Sequence, residues 1–328
     1  MKQKTLFDEE NRLELLSQLG DPLEILNRVI KWEKFRSVLN QGCRKEDTGK
    51  GGRPPYDVVM MLKILVLQRL YNLSDDQTEY QINDRMSFMR FLGINLCEKV
   101  PDAKTIWKFK NDLAETKTVN TLFCMFDEYL EKEGLISHKG TIVDAPRQRN
   151  SRDENKKIKN GEIPEEWEKP ENKSKLAQKD IDADWTKKNG ERHFGYKNHV
   201  KCDADSKLIT NYSVTSASVH DSQRCLVFIG QEDEVLYADS AYSGKPIALA
   251  LPENCKNQIC EKGYRNSPLT SEQKMNNRRK SRIRCRIEHI FGFMTGAMHG
   301  ITRAWMNIGI TNLVYNLCRY SYLKRTSA

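Results

Sequence analysis

Two aspartates in this sequence each end a short run of apolar, β-forming residues. Asp144 ends the run at residues 140–144, and Asp239 ends the run at residues 235–239. A buried carboxylate is costly to desolvate unless a cation or strong hydrogen-bond donors hold it. Strand-end aspartates also often cap the following helix or turn, so either residue alone has an ordinary structural explanation. A third carboxylate makes the pair more informative.

The third carboxylate, Glu288, lies in a segment whose spacing predicts an amphipathic helix. The buried stripe of this helix is predicted to contain Ile283, Ile287, Ile290, Phe291 and Met294. Glu288 borders the stripe, and Arg284 lies one turn before it, where the two charges can pair on one face. Three further arginines of the segment are predicted to spread outward: Arg279, Arg282 and Arg286.

Three carboxylates on separate elements suit a hard divalent cation. Mg²⁺ and Mn²⁺ are bound by carboxylate oxygens, and water and substrate phosphate complete the coordination shell. A pair of such ions activates the attacking oxygen and stabilises the departing one in an in-line displacement at phosphorus. We therefore predict a Mg²⁺ site, with Mn²⁺ as the alternative ion, at Asp144, Asp239 and Glu288.

The charge balance favours a polyanionic partner. The chain has 54 Lys and Arg against 45 Asp and Glu, which gives a formal net charge of +9. Each cation placed against a phosphate releases condensed counterions, which favours DNA binding. A soluble protein with a merely cationic surface would have the same composition, so charge alone leaves both interpretations open. Outside the Glu288 helix, the cations predicted to meet phosphates are Arg147, Arg149, Arg152, Lys156 and Lys157.

The sequence shows no sign of a membrane or secretory protein. No stretch approaches the roughly 20 apolar residues that span a bilayer, and residues 1–10 lack the apolar core of a secretory signal. We therefore expect a cytoplasmic protein with no membrane partner. The nine cysteines include no C-x-x-C pair, so reduced, mostly buried thiols are expected rather than a zinc site or a disulfide framework.

Two domains are predicted to position the carboxylates. In residues 1–135 the apolar positions recur at helical spacing, which predicts an all-α domain. Two of its short helices, capped at Ser74 and at Asp102, resemble a helix-turn-helix. Most helical hairpins of this kind only pack a core, so DNA-end binding by this domain is a hypothesis.

Residues 136–328 are predicted to form an α/β domain with a mixed sheet. A charged segment at residues 147–190 lacks apolar periodicity and is predicted to be an exposed, mobile insertion. Alternating residues at 193–202, with a return strand at 208–215, predict a β-hairpin. The remaining predicted elements are the strands at 140–144, 235–239 and 258–260, a helix at 220–228, the basic Glu288 helix and a final apolar helix.

Five segments, taken in order, resemble the DDE transposases of bacterial insertion sequences of the insertion-sequence-five type. They are residues 52–75, 100–105, 194–197, 237–242 and 284–289. Each segment alone is a weak signal, but five in this order are specific and cover almost the whole chain.

The resemblance implies an RNase H-like catalytic core that cuts transposon ends with divalent metal and transfers the freed 3′-hydroxyl into target DNA. By this match Asp144, Asp239 and Glu288 are the DDE triad, and Arg284 is the arginine of the motif on the glutamate helix. The implied partners are terminal inverted repeats, target DNA and a second copy of the chain, because both element ends must be held together in a dimer or larger assembly. The predicted DNA-contacting residues are Lys197, Arg147, Arg149, Arg279, Arg282, Arg284 and Arg286.

The sequence departs from the family pattern at four places. The stretch from Gly300 to Asn307 is shortened, and the strand at Asp144 lacks the several apolar residues that usually follow in the family. Ser281 and Thr295 stand where related elements often have tyrosine and lysine. Pro146 follows Asp144 by only two positions and cannot donate to a strand ladder, so backbone support for Asp144 is predicted to come almost entirely from residues 141–143.

Three hypotheses follow: an active transposase, a catalytically impaired copy that only binds DNA, and a host nuclease with the same core. The carboxylates favour the first, the shortened strand favours the second, and the N-terminal match disfavours the third.

Overall fold

The computed structural model describes residues 8–43, 54–149, 163, 165–172, 174, 176, 180–188, 190–294 and 300–326. The chain divides into two compact units. One is Met1–Cys124 with Leu313–Ala328, and the other is Met125–Asn312.

The N-terminal region is all-helical, as predicted. Its helices are α1 (Asp8–Gln18), α2 (Pro22–Val29), α3 (Arg36–Gly42), α4 (Val58–Leu70), α5 (Asp75–Asp84), α6 (Met86–Leu92), α7 (Ala103–Glu115) and α8 (Thr118–Lys132), with a 3₁₀ turn at Trp32–Phe35. The capping box of Ser74 and Gln77 begins α5, and Asp102 accepts a hydrogen bond from the Thr105 amide, 2.7 Å away, to begin α7. Both predicted caps are confirmed, because capping depends on neighbours within one turn.

The second region contains a seven-stranded mixed sheet. Its strands are β1 (Thr141–Asp144), β2 (Arg147–Arg149), β3 (Asp184–Lys188), β4 (Glu191–Asp203), β5 (Ile209–Ser216), β6 (Val235–Ala238) and β7 (Lys256–Asn257). The strand order is β2-β4-β1-β6-β7, and β3 and β5 also pair with β4. Parallel pairing of β1 with β6 and antiparallel pairing of β1 with β4 give the predicted mixed sheet.

In the described part of the chain, further helices lie between or after these strands in sequence. They are α9 (Glu165–Glu168), α10 (Asp221–Phe228), α11 (Lys245–Ala250), α12 (Ser271–Arg284), α13 (Glu288–Phe293) and α14 (Ile301–Thr326), with 3₁₀ turns at Pro170–Asn172, Ser240–Tyr242 and Cys285–Ile287. One apolar cluster joins β1 and β6 to the helices that cover them, and it includes Val143, Cys225, Phe228, Leu236, Ala238, Tyr242 and Ile247. The positions just before Asp144 and Asp239 are therefore fixed in the core.

The segment predicted as an exposed insertion contains two strands of the sheet. β2 pairs with β4 from Arg147 to Arg149, and β3 pairs with it from Asp184 to Lys188. The prediction is wrong for these residues because pairing with the long strand β4 uses backbone groups and needs no apolar periodicity. Arg152, Lys156 and Lys157 lie outside the described residues.

β1 and β2 keep one register along β4. Asp144 pairs with Val200 and Arg147 pairs with Lys197, and the Asn198 amide donates to the Pro146 carbonyl between them. The predicted one-sided support for Asp144 is therefore wrong. Proline lacks only the donor, so its carbonyl continues the ladder.

All nine cysteines are free, and four of them are buried: Cys202, Cys225, Cys255 and Cys260. The expectation that most of the thiols are buried is therefore wrong, since Cys97, Cys124 and Cys285 are exposed. Among the described helices, none has the length and apolar character needed to cross a membrane.

Candidate active site

Asp144 and Asp239 lie at the same edge of the sheet. β1 and β6 run parallel with Val143 opposite Ala238. Asp144 is the last residue of β1, and Asp239 directly follows β6. Neighbouring parallel strands end at the same edge, which brings these two predicted residues together.

Two donors in the described part of the chain contact Asp144. Its Oδ1 accepts from the Ala145 amide at 2.8 Å, and its Oδ2 lies 3.0 Å from Nη1 of Arg284, with 15% and 24% of the two side chains exposed. This ion pair joins β1 to the end of α12. The Asp144 carboxylate, which is mostly buried, therefore lies beside a permanent positive charge.

The predicted pair between Arg284 and Glu288 is replaced by this contact with Asp144. The helix expected to carry both residues is interrupted, because α12 ends at Arg284, a 3₁₀ turn follows at Cys285–Ile287, and α13 begins at Glu288. A 3₁₀ turn has three residues per turn, so residues four apart no longer share a face.

Asp239 caps the turn that follows β6. Its Oδ1 accepts a short hydrogen bond from the Ala241 amide and begins the 3₁₀ turn Ser240–Tyr242. The ordinary explanation for a strand-end aspartate therefore applies to one of its oxygens.

Glu288 is exposed between the buried residues Ile287 and Ile290. Among the described residues, the group whose possible ligand atoms all lie within 4.8 Å of one another is His138, Glu232 and Asp233; the three predicted ligands do not form such a group. The structure thus brings Asp144 and Asp239 to one edge of the sheet, and Glu288 lies on a separate element at the start of α13.

The group around Asp233 lies at the other end of β1. Asp233 accepts from Thr141, the first residue of β1, at 2.6 Å, and Lys201 lies 2.9 Å from Asp233 and 3.5 Å from Glu232. The Lys201 ammonium already supplies a positive charge there. We therefore interpret this group as a structural ion-pair cluster and not as the metal centre.

Lys197, predicted to contact DNA, is buried. It is 6% exposed, and its ammonium lies 2.6 Å from the Val219 carbonyl and 2.8 Å from Asp221. These contacts tie β4 to the start of α10. A side chain held in this way is positioned to stabilise the fold rather than to meet a phosphate, and it is not part of the interface proposed below.

The other predicted cations lie in different settings. Arg279 and Arg282 are exposed on α12, and Arg147 is partly buried at the start of β2. Arg286 donates to the Ala204 carbonyl at 2.7 Å and lies 3.3 Å from Asp205, both in the turn after β4. The side chain of Arg149 lies outside the described part of the chain.

One face of α12 forms a basic depression of about 590 Å³. It is lined by Leu269, Lys274, Asn277, Arg278, Ser281, Arg282 and Cys285. Ser281, which departs from the family pattern, therefore lies among cations. Thr295 lies outside the described residues.

Tyr242 is a residue of this region that sequence reasoning missed. It is 1% exposed, and its hydroxyl has no hydrogen-bond partner among the described residues. Burial, and then negative charges that include Asp144, Asp221 and Asp239, raise its pKa well above the ordinary value. The sequence signal was the spacing of three from Asp239, since side chains three apart share a side in a 3₁₀ turn.

Two family models match this chain. The model described as Transposase DDE domain matches residues 137–307, more than half of the chain, and the model described as Transposase domain (DUF772) matches residues 10–112. Among solved structures, a cryo-EM structure of the piggyBac transposase synaptic complex with hairpin DNA is similar over 89% of this chain and 72% of that chain, with 12% identity and a TM-score of 0.39.

Proposed function

Because this chain belongs to the transposase DDE domain family, with its RNase H-like core, we propose that it binds insertion-sequence ends and catalyses divalent-metal-dependent strand cleavage and strand transfer. The observation that carries the proposal is the parallel register of β1 and β6, which sets Asp144 beside Asp239 in a chain of this family. The insertion-sequence-five subtype stays a prediction.

The carboxylates at this edge fit a hard divalent cation. Asp144 and Asp239 offer only oxygen ligands, which suits Mg²⁺, with Mn²⁺ as the alternative. We propose Glu288 as the third ligand because it is exposed and has no ion pair among the described residues. When bound, the metal supplies Lewis-acid stabilisation of charge on the reacting phosphate oxygens.

Other residues of the chain orient Asp144 and Asp239 and compensate their charge. Arg284 offsets the repulsion between Asp144 and Asp239, which would otherwise raise the cost of holding two like charges together. The Ala145 and Ala241 amides orient one oxygen of each aspartate. The register of β1 and β2 along β4 fixes the direction of the Asp144 side chain on both sides.

We propose that DNA follows the basic face of α12. Arg278, Arg279 and Arg282 are exposed there, and exposed cations bind phosphates without sequence preference. The face ends at Arg284, which contacts Asp144. DNA held along α12 would therefore be led towards the carboxylates.

We further propose that residues 1–135 form the end-binding domain and residues 136–328 the catalytic domain. One face of α7 is exposed and carries Lys104, Trp107 and Lys108, three and four residues apart, whereas Ile106, Phe109 and Leu113 bury the opposite face. Cations beside an aromatic ring suit contact with both the backbone and the bases of DNA. A homodimer or larger assembly would hold the two ends and the target DNA together.

A catalytically impaired DNA-binding copy is the second candidate function. Its main support was the short strand after Asp144, and that support is weaker because β2 continues the register of β1.

The experiment that separates the two is a cleavage assay on a duplex carrying the inverted repeat that flanks the gene. The full chain is assayed with Mg²⁺, with Mn²⁺ and with chelator. Metal-dependent nicks at the repeat boundary support the active transposase, and end binding without cleavage in either metal supports the impaired copy.

A further inference from the structure

The chain between β7 and α12 contains a loop at residues 261–269 that holds one aromatic ring in solvent. Tyr264 is 63% exposed, and its neighbours in the loop are exposed as well. Single exposed apolar residues are common on protein surfaces and need no special explanation. This ring differs from them in the rigidity of the loop that carries it and in the charge around it.

Backbone contacts fix the tip of the loop. The Tyr264 amide donates to the Ser267 carbonyl at 3.0 Å, and the Ser267 amide donates back to the Tyr264 carbonyl at 3.1 Å. One residue earlier, a Cβ added at Gly263 would lie only 3.2 Å from the side chain of Leu269. The glycine therefore allows the two ends of the loop to approach closely.

Side chains of α12 fix the base of the loop. Asn277 accepts from the Glu261 amide at 2.8 Å and donates to the Glu261 carbonyl at 3.0 Å. Lys280 lies 3.7 Å from the Glu261 carboxylate and donates to the Ile259 carbonyl at 2.9 Å. The loop is thus anchored to the basic helix, and a ligand that packs on Tyr264 has little loop motion to restrict.

The surroundings of the ring are strongly basic. Residues 262–282 contain seven Lys and Arg and one acidic residue, Glu272. The Lys262 ammonium lies 5.9 Å from the centre of the Tyr264 ring, and the next residue, Arg265, is exposed. Leu269, which packs against Gly263, also lines the basic depression of α12. The loop and the depression therefore adjoin, and their charge complements a phosphate backbone.

An exposed aromatic ring among cations fits a nucleotide whose base is not stacked in a duplex. The ring can stack on the flat face of any base while the cations contact the phosphates. Within continuous double-stranded DNA the faces of the bases are covered by the adjacent pairs, so stacking on protein requires a base outside the duplex. Strand cleavage produces strand ends whose bases can leave the duplex.

Resting on the function proposed above, we propose that Tyr264 stacks on an unpaired base of the cleaved DNA strand, and that Lys262 and Arg265 contact the adjoining phosphates.

The test is binding of labelled oligothymidylate to the full chain, measured by fluorescence anisotropy together with thermal unfolding. Oligothymidylate forms no duplex, so its bases are free to stack. Tyr264→Ala should weaken its affinity about ten-fold, a typical loss for one base stacked on an aromatic ring, whereas Tyr264→Phe keeps the ring and should bind normally. Neither change should alter the unfolding temperature, because the ring is exposed. Tyr80→Ala is the matched control, since Tyr80 is 65% exposed, and it should leave the affinity unchanged.

A strand without bases separates stacking from charge. An abasic strand of the same length carries the same phosphates, so Tyr264→Ala should leave its affinity unchanged, whereas Lys262→Gln and Arg265→Gln should weaken the binding of both strands. An equal loss with both strands in Tyr264→Ala would show that the ring does not stack on a base.

Binding to a duplex distinguishes this inference from the proposed function. If the unsubstituted chain binds neither oligothymidylate nor a duplex, DNA binding fails and the proposed function fails with it. If the chain binds a duplex through Arg282 but does not bind oligothymidylate, or binds it equally well in Tyr264→Ala, the role of Tyr264 is wrong and the proposed function stands.

Discussion

Asp144 and Glu288 represent opposite environments for a ligand. Asp144 is mostly buried and already has a cation, Arg284, at 3.0 Å, whereas Glu288 is exposed at the start of a short helix. Removing the charge of Asp144 or of Glu288 should have the same effect on metal-dependent cleavage. The two substitutions should have different effects on the free energy of unfolding, because only Asp144 is buried and paired.

We expect Asp144→Asn, Asp239→Asn and Glu288→Gln each to abolish metal-dependent cleavage while end binding persists, because each removes a ligand charge at nearly constant volume. Asp144→Asn should also lower stability by about 2 kcal/mol, since a hydrogen-bonded ion pair is lost and Arg284 is left unpaired. Glu288→Gln should leave stability within about 0.5 kcal/mol of the original, as exposed substitutions do.

Cleavage assays and thermal unfolding check both expectations. Glu253→Gln, at another exposed glutamate, is the matched control and should cleave normally. Full cleavage by any one of the three variants would remove that residue from the proposed site.

At the scale of elements, the sequence predicted what depends on neighbours along the chain. Ser74 and Asp102 cap their helices through contacts within one turn, and the runs that end at Asp144 and Asp239 are strands. Features that depend on contacts with residues distant in sequence were not predicted. Lys197 is buried because Asp221 and Val219 come to it from the start of α10.

The same limit explains the errors near the carboxylates. Nothing in residues 145–149 reveals that β4 is long enough to pair with them. The break at Cys285–Ile287 falls within an uninterrupted amphipathic pattern, so the partner of Arg284 could not be inferred from helical spacing. The role of Glu288 as a metal ligand stays a prediction.

The connection between β1 and β2 gives an element-scale prediction. If the strand after Asp144 were truncated, adding four or five β-forming residues between Ala145 and Pro146 should raise cleavage. The shared register of β1 and β2 along β4 reverses that expectation, because extra residues would displace Pro146 from Asn198 and Arg147 from Lys197. The insertion should lower both cleavage and the unfolding temperature. Increased cleavage in a folded variant would restore the interpretation of a truncated strand.

The basic face of α12 predicts salt-dependent DNA binding. Arg279→Gln and Arg282→Gln should each reduce the slope of log affinity against log salt by about 1, because each removes one phosphate contact. The slope is measured by fluorescence anisotropy with a labelled duplex. Lys197→Met is the contrasting variant: it should destabilise the fold and leave the slope unchanged, since its ammonium is enclosed by Asp221 and Val219. A flat salt response in the unsubstituted chain would contradict phosphate binding altogether.

The exposed face of α7 predicts where element ends bind. Trp107 is 51% exposed, and its loss in Trp107→Ala should weaken binding to the terminal repeat about ten-fold, the size expected for one specific contact with a base. Binding to unrelated DNA should change little. Leu249→Ala, at another exposed apolar residue, is the control, and equal end affinity in both variants would exclude this face.

At the scale of the whole molecule, two buried groups give opposite pH dependence. Burial lowers the pKa of His199 to about 4 from 6.5, so its contribution to stability is complete above pH 6.5 and is lost as the pH falls towards 4. Burial, and then the charge of Glu131, raise the pKa of Asp127 to about 7 from 3.8. Its contribution is complete below pH 3.8 and is lost as the pH rises through 7.

The contributions of His199 and Asp127 change in opposite directions with pH. Together they should therefore leave the free energy of unfolding nearly constant between pH 4 and pH 6.5. In Asp127→Asn only the histidine slope remains, and stability should rise across that window by on the order of 3 kcal/mol. Urea unfolding at several pH values measures this rise. A variant with the same profile as the unsubstituted protein would show that these residues titrate normally.

β4 is the strand on which β1, β2, β3 and β5 all assemble, and this arrangement governs how the sheet can form. β1 and β2 precede β4 in the chain and pair with it only after the chain between them has closed. Folding becomes slower as the share of contacts between residues distant in sequence rises, so this pairing slows folding. The free-energy cost of that closure grows only with the logarithm of loop length, by about 0.6 kcal/mol per doubling. A change in the length of the chain between β2 and β3 therefore alters the free-energy cost of loop closure only slightly, while Asp144 keeps its place beside Asp239.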